Sequence, residues 1–253
     1  MQSLRPLLLN ATRTRIAPTL RLPLRSIVVP ASYSTVSDAI KHDHAELKEY
    51  YSKILNASED DHDTKTRYQN QFTWELARHS IAEELVVYPA MEKYIEGGKD
   101  IADHDRGEHR TLKEELKKFQ NLKSSSTEFT PTLQKMIDDL DHHIAEEEKD
   151  DLPKLEKALP EGESEKLASS FQRTKMFTPT RSHPSSPDRP PFETVMGLMV
   201  APMDKLADMF RKFPQESGSS SSASSTSSTS DTTHTATTDA PDFSKTDSQG
   251  RVR

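Results

Sequence analysis

His79-Ser-Ile-Ala-Glu83 and His143-Ile-Ala-Glu-Glu147 write the same His-x-x-x-Glu step twice, 64 residues apart, each copy followed by a proline ten residues after its His (Pro89 and Pro153). In a helix, residues i and i+4 share a face one turn apart, so an imidazole and a carboxylate at this spacing can hold one ion or bridge two. Each copy also has an upstream partner. His44-Ala-Glu-Leu47 begins 35 residues before His79, and His109-Arg-Thr-Leu112 begins 34 residues before His143. The unit is therefore a helix with His-x-x-Leu, a loop and a helix with His-x-x-x-Glu, written twice.

The apolar pattern places these groups on the inner faces of their helices. Ile40, His44, Leu47, Tyr51 and Ile54 step by four and three, as do Tyr68, Phe72, Leu76, His79, Glu83 and Val86. Asp105, His109, Leu112, Leu116 and Phe119 form the third stripe, and Leu133, Met136, Leu140, His143 and Glu147 the fourth. Burying a carboxylate or imidazole without a partner costs roughly several kcal/mol. Six such groups in one interior demand either mutual hydrogen bonding or a cation.

On these motifs the segment 36–160 resembles the haemerythrin HHE cation-binding domain. The resemblance implies an all-α, up-down four-helix bundle holding iron in its core, as a di-iron site or with another divalent cation. Carried over position by position, it makes His44, His79, Glu83, His109, His143 and Glu147 the metal ligands, with Asp105 and His104 as candidates for additional ones. Two departures stand out. Oxygen-carrying haemerythrins have His-x-x-x-His on the third helix, where this chain has Asp105 before His109; they end with His and an Asp five residues later, where this chain has Glu147 four residues after His143. More carboxylate and less imidazole harden the site toward ferric iron.

The function implied is non-haem iron binding, with oxygen, nitric oxide or peroxide as small ligand. The alternative is a metal-dependent iron or redox sensor or storage module that acts through a protein partner. A metal-binding protein is expected rather than a dedicated enzyme, and a peroxide scavenger is the enzymatic variant.

Composition narrows the remaining choices. The 253 residues are 32% hydrophobic with a mean hydropathy of -0.81, enough for one modest core, the rest being tail or linker. The absence of Cys excludes disulfides, thiolate zinc sites and iron–sulfur clusters. Residues 1–37 carry five Arg and no acidic residue, so removing their five positive charges leaves the remainder at -12 rather than -7. That balance argues against nucleic acid and suits cation uptake. The Arg-rich, acid-free residues 1–35 read as a mitochondrial transit peptide, with processing near Ala31–Ser34 and a matrix destination. No run is long enough to span a bilayer.

Helices are expected from Ser37 or Asp38 to Leu55, from Thr64 to Glu96 with a bend near Pro89, from Asp100 to Leu122, and from Thr130-Pro131 to about Asp151, where Pro153 interrupts. Beyond them come a short accessory helix within 161–177, a Pro-rich linker at 178–191 and an amphipathic helix at 192–214 broken by Pro202. Residues 215–253 form a Ser/Thr-rich tail of disordered composition. Val195, Met199, Met203, Leu206 and Phe210 give the segment 192–213 an apolar face for docking or for a protein partner. His42, His62, His142, His183 and His234 fall off the inner stripes, and the acidic run Glu146–Asp151, Glu147 excepted, is expected to solvate a helix face.

Overall fold

The computed structural model describes residues 33–185, 187–189 and 192–215; residues 1–32, most of the expected transit peptide, and the tail from residue 216 lie outside the described residues. The helices are α1 (Val36–Leu55), α2 (His62–Ala82), α3 (Tyr88–Tyr94), α4 (Gly98–Phe119), α5 (Phe129–Glu146), α6 (Leu152–Ala158), α7 (Glu163–Lys175) and α8 (Phe192–Asp208). Among the described residues there is no strand, and no helix is long and apolar enough to cross a membrane. The rods α1, α2–α3, α4 and α5–α6 form an up-down four-helix bundle.

Local chemistry sets the ends of these rods. Thr35 caps α1 by accepting the Asp38 N–H at 3.0 Å, and Asp61 caps α2 by accepting that of Thr64 at 3.0 Å. The α3–α4 corner needs both of its glycines. Gly97 sits at φ 74°, and a Cβ on Gly98 would meet the Met91 carbonyl oxygen at 2.0 Å.

Helical structure continues past both prolines, so the interruption expected at Pro153 does not occur. Each follows a π-helical turn, Glu83–Val87 or Glu147–Asp151, in which the N–H of Tyr88 reaches the carbonyl of Glu83 and that of Leu152 reaches Glu147. A proline ring collides with the carbonyl four residues earlier and supplies no N–H to it. Widening the preceding turn by one residue accommodates both defects, and the chain resumes as α3 or α6.

Two apolar clusters flank the midsection of the bundle. One contains Leu47, Phe72, Leu76, Leu116, Phe119 and Leu133; the other contains Ile40, Val87, Met91, Leu152, Leu155 and Phe171. Each fully buried side chain of this size contributes about 1.5–3 kcal/mol, so both ends are held firmly around a polar middle.

The segments after the bundle are more integrated than the sequence pattern suggests. Helix α7 packs against α1 and α2, burying Ala168 and Phe171. The first part of the expected linker is a packed strap. Arg181 Nη2 donates to the Gln120 carbonyl at 2.8 Å, the Ser182 N–H donates to Gln120 Oε1 at 2.9 Å, and the N–H groups of Thr180 and Arg181 donate to Asp204. Pro202 lies inside an uninterrupted α8. That helix docks through Ala201 and Asp204, leaving Met199, Met203, Leu206 and Phe210 exposed, the reverse of amphipathic docking.

Candidate metal centre

His44, His79, Glu83, His109, His143 and Glu147 meet between the two apolar clusters, none more than 2% exposed. The rings pair across helices, His44 with His79 at 4.9 Å between centroids and His109 with His143 at 4.8 Å. Glu83 stands between the pairs. Its Oε2 lies 3.2 Å from His79 Nε2 and 3.4 Å from His109 Nε2, so the triads His44/His79/Glu83 and Glu83/His109/His143 share one carboxylate. Glu147 Oε2 lies 3.4 Å from His44 Nε2, which repeats the Glu83–His109 spacing in the other half of the chain. Donor atoms around an ion with bonds of about 2.1 Å stand about 3.0–3.4 Å apart, so these separations suit shared cations.

Behind every imidazole stands a carboxylate. Nδ1 of His44 meets Glu148 at 2.8 Å, that of His79 meets Asp43 at 3.2 Å, that of His109 meets Glu84 at 3.1 Å and that of His143 meets Glu108 at 2.8 Å. A carboxylate there fixes the ring proton on Nδ1, turns the Nε2 lone pair inward and raises its basicity. Glu84 is anchored in turn by Lys113, and Asp43 by Lys175 of α7, which also pairs with Glu75.

The sequence pattern did not single out these supporting residues, although it carries a sign of them. An acidic residue precedes both His44 and His109, and a second Glu follows both Glu83 and Glu147. The π turns bring Glu84 and Glu148 onto His109 and His44, so Glu148 does not simply solvate a helix face.

Electrostatics mark the middle as short of positive charge. Burial, then Glu147, pushes Glu83 well above the usual carboxylate range, and burial with Glu147 raises Asp105 to about 7. Burial lowers His79, and it lowers His109 to about 4. For His143 the Glu108 bond and the nearby carboxylates outweigh burial and raise the ring. Burial opposes ionisation of Asp43, yet Lys175, with His42 and His79, holds it far below the carboxylate range.

Asp105 and His104 part company. Asp105 is buried, with Oδ2 making no hydrogen bond, whereas His104 is exposed and stays out of the centre, because one residue along α4 turns a side chain about 100° off the inner stripe. A further group does enter. The fully buried Tyr88 places Oη 2.9 Å from His109 Nε2, and burial, then Glu83, keeps the phenol protonated. Its repeat counterpart is Leu152.

The chemistry of the donor set fits a cation. His44 Nε2, both oxygens of Glu83, both of Glu147 and Asp105 Oδ2 are buried without a hydrogen-bond partner. Unpaired buried acceptors are costly, and so many aimed at one place call for positive charge.

Residues 35–155 match the Hemerythrin HHE cation binding domain. An uncharacterized hemerythrin-like protein of Schizosaccharomyces pombe is 56% identical over 180 residues, covering 71% of this chain and 88% of that relative. The chain belongs to the haemerythrin HHE family. A solved Hemerythrin HHE cation binding domain-containing protein from Mycobacterium kansasii is similar at 19% identity and a TM-score of 0.49, over 57% of this chain and 89% of that one. In this haemerythrin-like protein the buried His/Glu centre is the candidate site for the cation that the family domain binds. Its Lys175 support lies beyond the stretch that matches the family domain.

Proposed function

We propose that the buried centre holds two iron ions and binds or reacts with a small ligand, namely oxygen, nitric oxide or peroxide. The observation that carries this is the pair of His/Glu triads sharing Glu83 Oε2, with a carboxylate behind each of the four imidazoles. Two imidazole nitrogens and a carboxylate in each triad would suit a borderline divalent or trivalent cation. Iron supplies redox chemistry and Lewis acidity when bound. The chain's own groups do the rest: Glu83 and Glu147 balance charge, Glu84, Glu108, Glu148 and Asp43 hold the rings in place, and the apolar clusters keep bulk water out. The Tyr88 hydroxyl offers a hydrogen bond on the His109 side. With Asp105 where oxygen carriers have a second third-helix imidazole, the harder donor set favours reaction or sensing over reversible oxygen carriage.

Metal analysis of the purified chain tests this. About two irons per chain are expected, and replacing His79 and His143 together by Ala should empty the centre. Full iron content in that variant would falsify the assignment.

The exposed face of α8 supports a second reading, a sensor that signals to a protein partner when its metal state changes. Hydrogen exchange at residues 199–213 compared with and without metal decides it, since a sensor must alter protection there. We further propose mitochondrial targeting by the basic N-terminal segment, which imaging of a C-terminal fluorescent fusion checks.

A further inference from the structure

Two further His-x-x-x-Glu pairs lie one residue before the inner stripes of two helices: His104 with Glu108 on α4, before Asp105 and His109, and His142 with Glu146 on α5, before His143 and Glu147. The two pairs face one another at the bundle surface. His104 Nε2 lies 3.7 Å from Glu108 Oε1 and 3.4 Å from Glu146 Oε2, while His142 Nδ1 lies 3.5 Å and 3.8 Å from the same two oxygens. His104, Glu108 and Glu146 thus offer three donor atoms within 4.8 Å of one another, with His142 beside both carboxylates. We propose that this is a distinct, solvent-facing cation site for a first-row divalent transition ion.

All four separations lie in ion-pair range, and the His104–Glu146 contact is also a long hydrogen bond. Donor atoms on a tetrahedral ion with bonds of about 2.1 Å stand about 3.4 Å apart, close to the 3.7 Å and 3.4 Å that separate His104 from the two carboxylates. Exposed i,i+4 pairs contribute little stability and give no reason for two imidazoles and two carboxylates to converge from separate helices. Both pairs ride on rigid helices, so little ordering is needed before binding. Two nitrogens among the donors select zinc, ferrous iron or cobalt over magnesium and calcium.

The site also adjoins the buried centre. Glu108 turns Oε1 toward His104 and His142, while its Oε2 receives the Nδ1 side of His143 at 2.8 Å. A cation captured at the surface therefore sits one carboxylate away from a buried ligand. The inference does not depend on which metal the buried centre takes.

The test uses the full chain and Zn2+ as probe. His104→Ala/His142→Ala removes both imidazoles, whose side chains are 62% and 65% exposed, so the fold is retained and circular dichroism verifies it. Equilibrium dialysis should show the variant binding one Zn2+ fewer than the unmodified protein. The His79→Ala/His143→Ala variant should lose the buried ions and keep the surface one. Co2+ gives an independent readout, because an intense visible band of tetrahedral cobalt should be present in the His79/His143 variant and absent when His104 and His142 are also replaced. Equal Zn2+ stoichiometry and affinity in the His104/His142 variant and the unmodified chain overturns the proposal, whatever the buried centre does.

Discussion

Lys175, in the last turn of α7, donates to Asp43 Oδ2, the same oxygen that stands 3.2 Å from Nδ1 of His79. A helix outside the bundle thereby fixes the orientation of a buried imidazole. Lys175 is itself buried and also pairs with Glu75, which Arg78 Nη1 meets at 3.3 Å, so two cations and two carboxylates form one network.

Lys175→Met should therefore loosen one half of the centre. Removing this cation leaves Asp43 without its main counter-charge and Glu75 with Arg78 alone, and breaking such a buried pair costs up to about 3–5 kcal/mol. Loss of a supporting partner behind a ligating His weakens metal binding about 10–100-fold. Chelator competition should show one weakened ion, the one at His44 and His79, beside one unchanged ion. Two unchanged affinities would show that Asp43 holds His79 without help from α7.

Asp105 makes the metal-free protein sensitive to pH. Its folded-state pKa is raised to about 7, above an unfolded value of about 3.9. Between these values the folded chain holds a proton that the unfolded chain has released, so stability falls as pH rises through this window and stays low above it. Burial shifts His79 and His109 down while Glu108 and nearby carboxylates shift His143 up, so Asp105→Asn is the comparison that isolates this carboxyl. With metal removed, the variant's advantage in melting temperature should be small at pH 4.5 and grow to about 5–10 °C at pH 8. An advantage that does not change with pH would mean that Asp105 ionises normally.

Tyr88 distinguishes the two halves of the repeat. Tyr88→Phe removes a hydroxyl facing His109 while keeping the ring that fills the core, so metal content should not change. A hydrogen bond from that hydroxyl to a small ligand is worth about 0.5–1.5 kcal/mol, or roughly threefold to tenfold in affinity. Nitric oxide titration of the iron-loaded proteins measures it, and equal affinities would place the ligand elsewhere.

The six inner residues were legible as a buried set because each is placed by local periodicity. His79/Glu83 and His143/Glu147 lie one turn apart, and His44 and His109 fall on apolar stripes, so one-dimensional spacing puts all six inside. Their supports were not legible because they act across helices, as Glu148 does on His44 from 104 residues away. Two of them, Glu84 and Glu148, also lie in the π turns, whereas Asp43 and Glu108 sit on regular helices. On an unbroken α-helix Glu84 would fall about 100° from Glu83, and the wider turn is what lets both be fully buried. The inward-facing choice between His104 and Asp105 rested on one residue of phase, which the stripe assigned correctly to Asp105. The outward apolar face of α8 eluded the pattern because amphipathicity says that a face is apolar and not which way it turns.

The prolines then acquire a role at the metal centre. Pro89 and Pro153 follow the two π turns, and those turns present Glu84 and Glu148 to His109 and His44. In Pro89→Ala/Pro153→Ala the N–H groups return and the carbonyl clash disappears, so a regular α-helix becomes available through both segments. Helicity by circular dichroism should hold or rise, since Ala favours the helix by about 3 kcal/mol per site over Pro. Metal affinity should fall about 10–100-fold as the two carboxylates rotate off their rings. Restoring one proline should recover part of the loss, because each turn serves a different imidazole. A double variant that binds metal as tightly as the unmodified chain would show that the π turns are held by the buried glutamates themselves and not by the prolines that follow them.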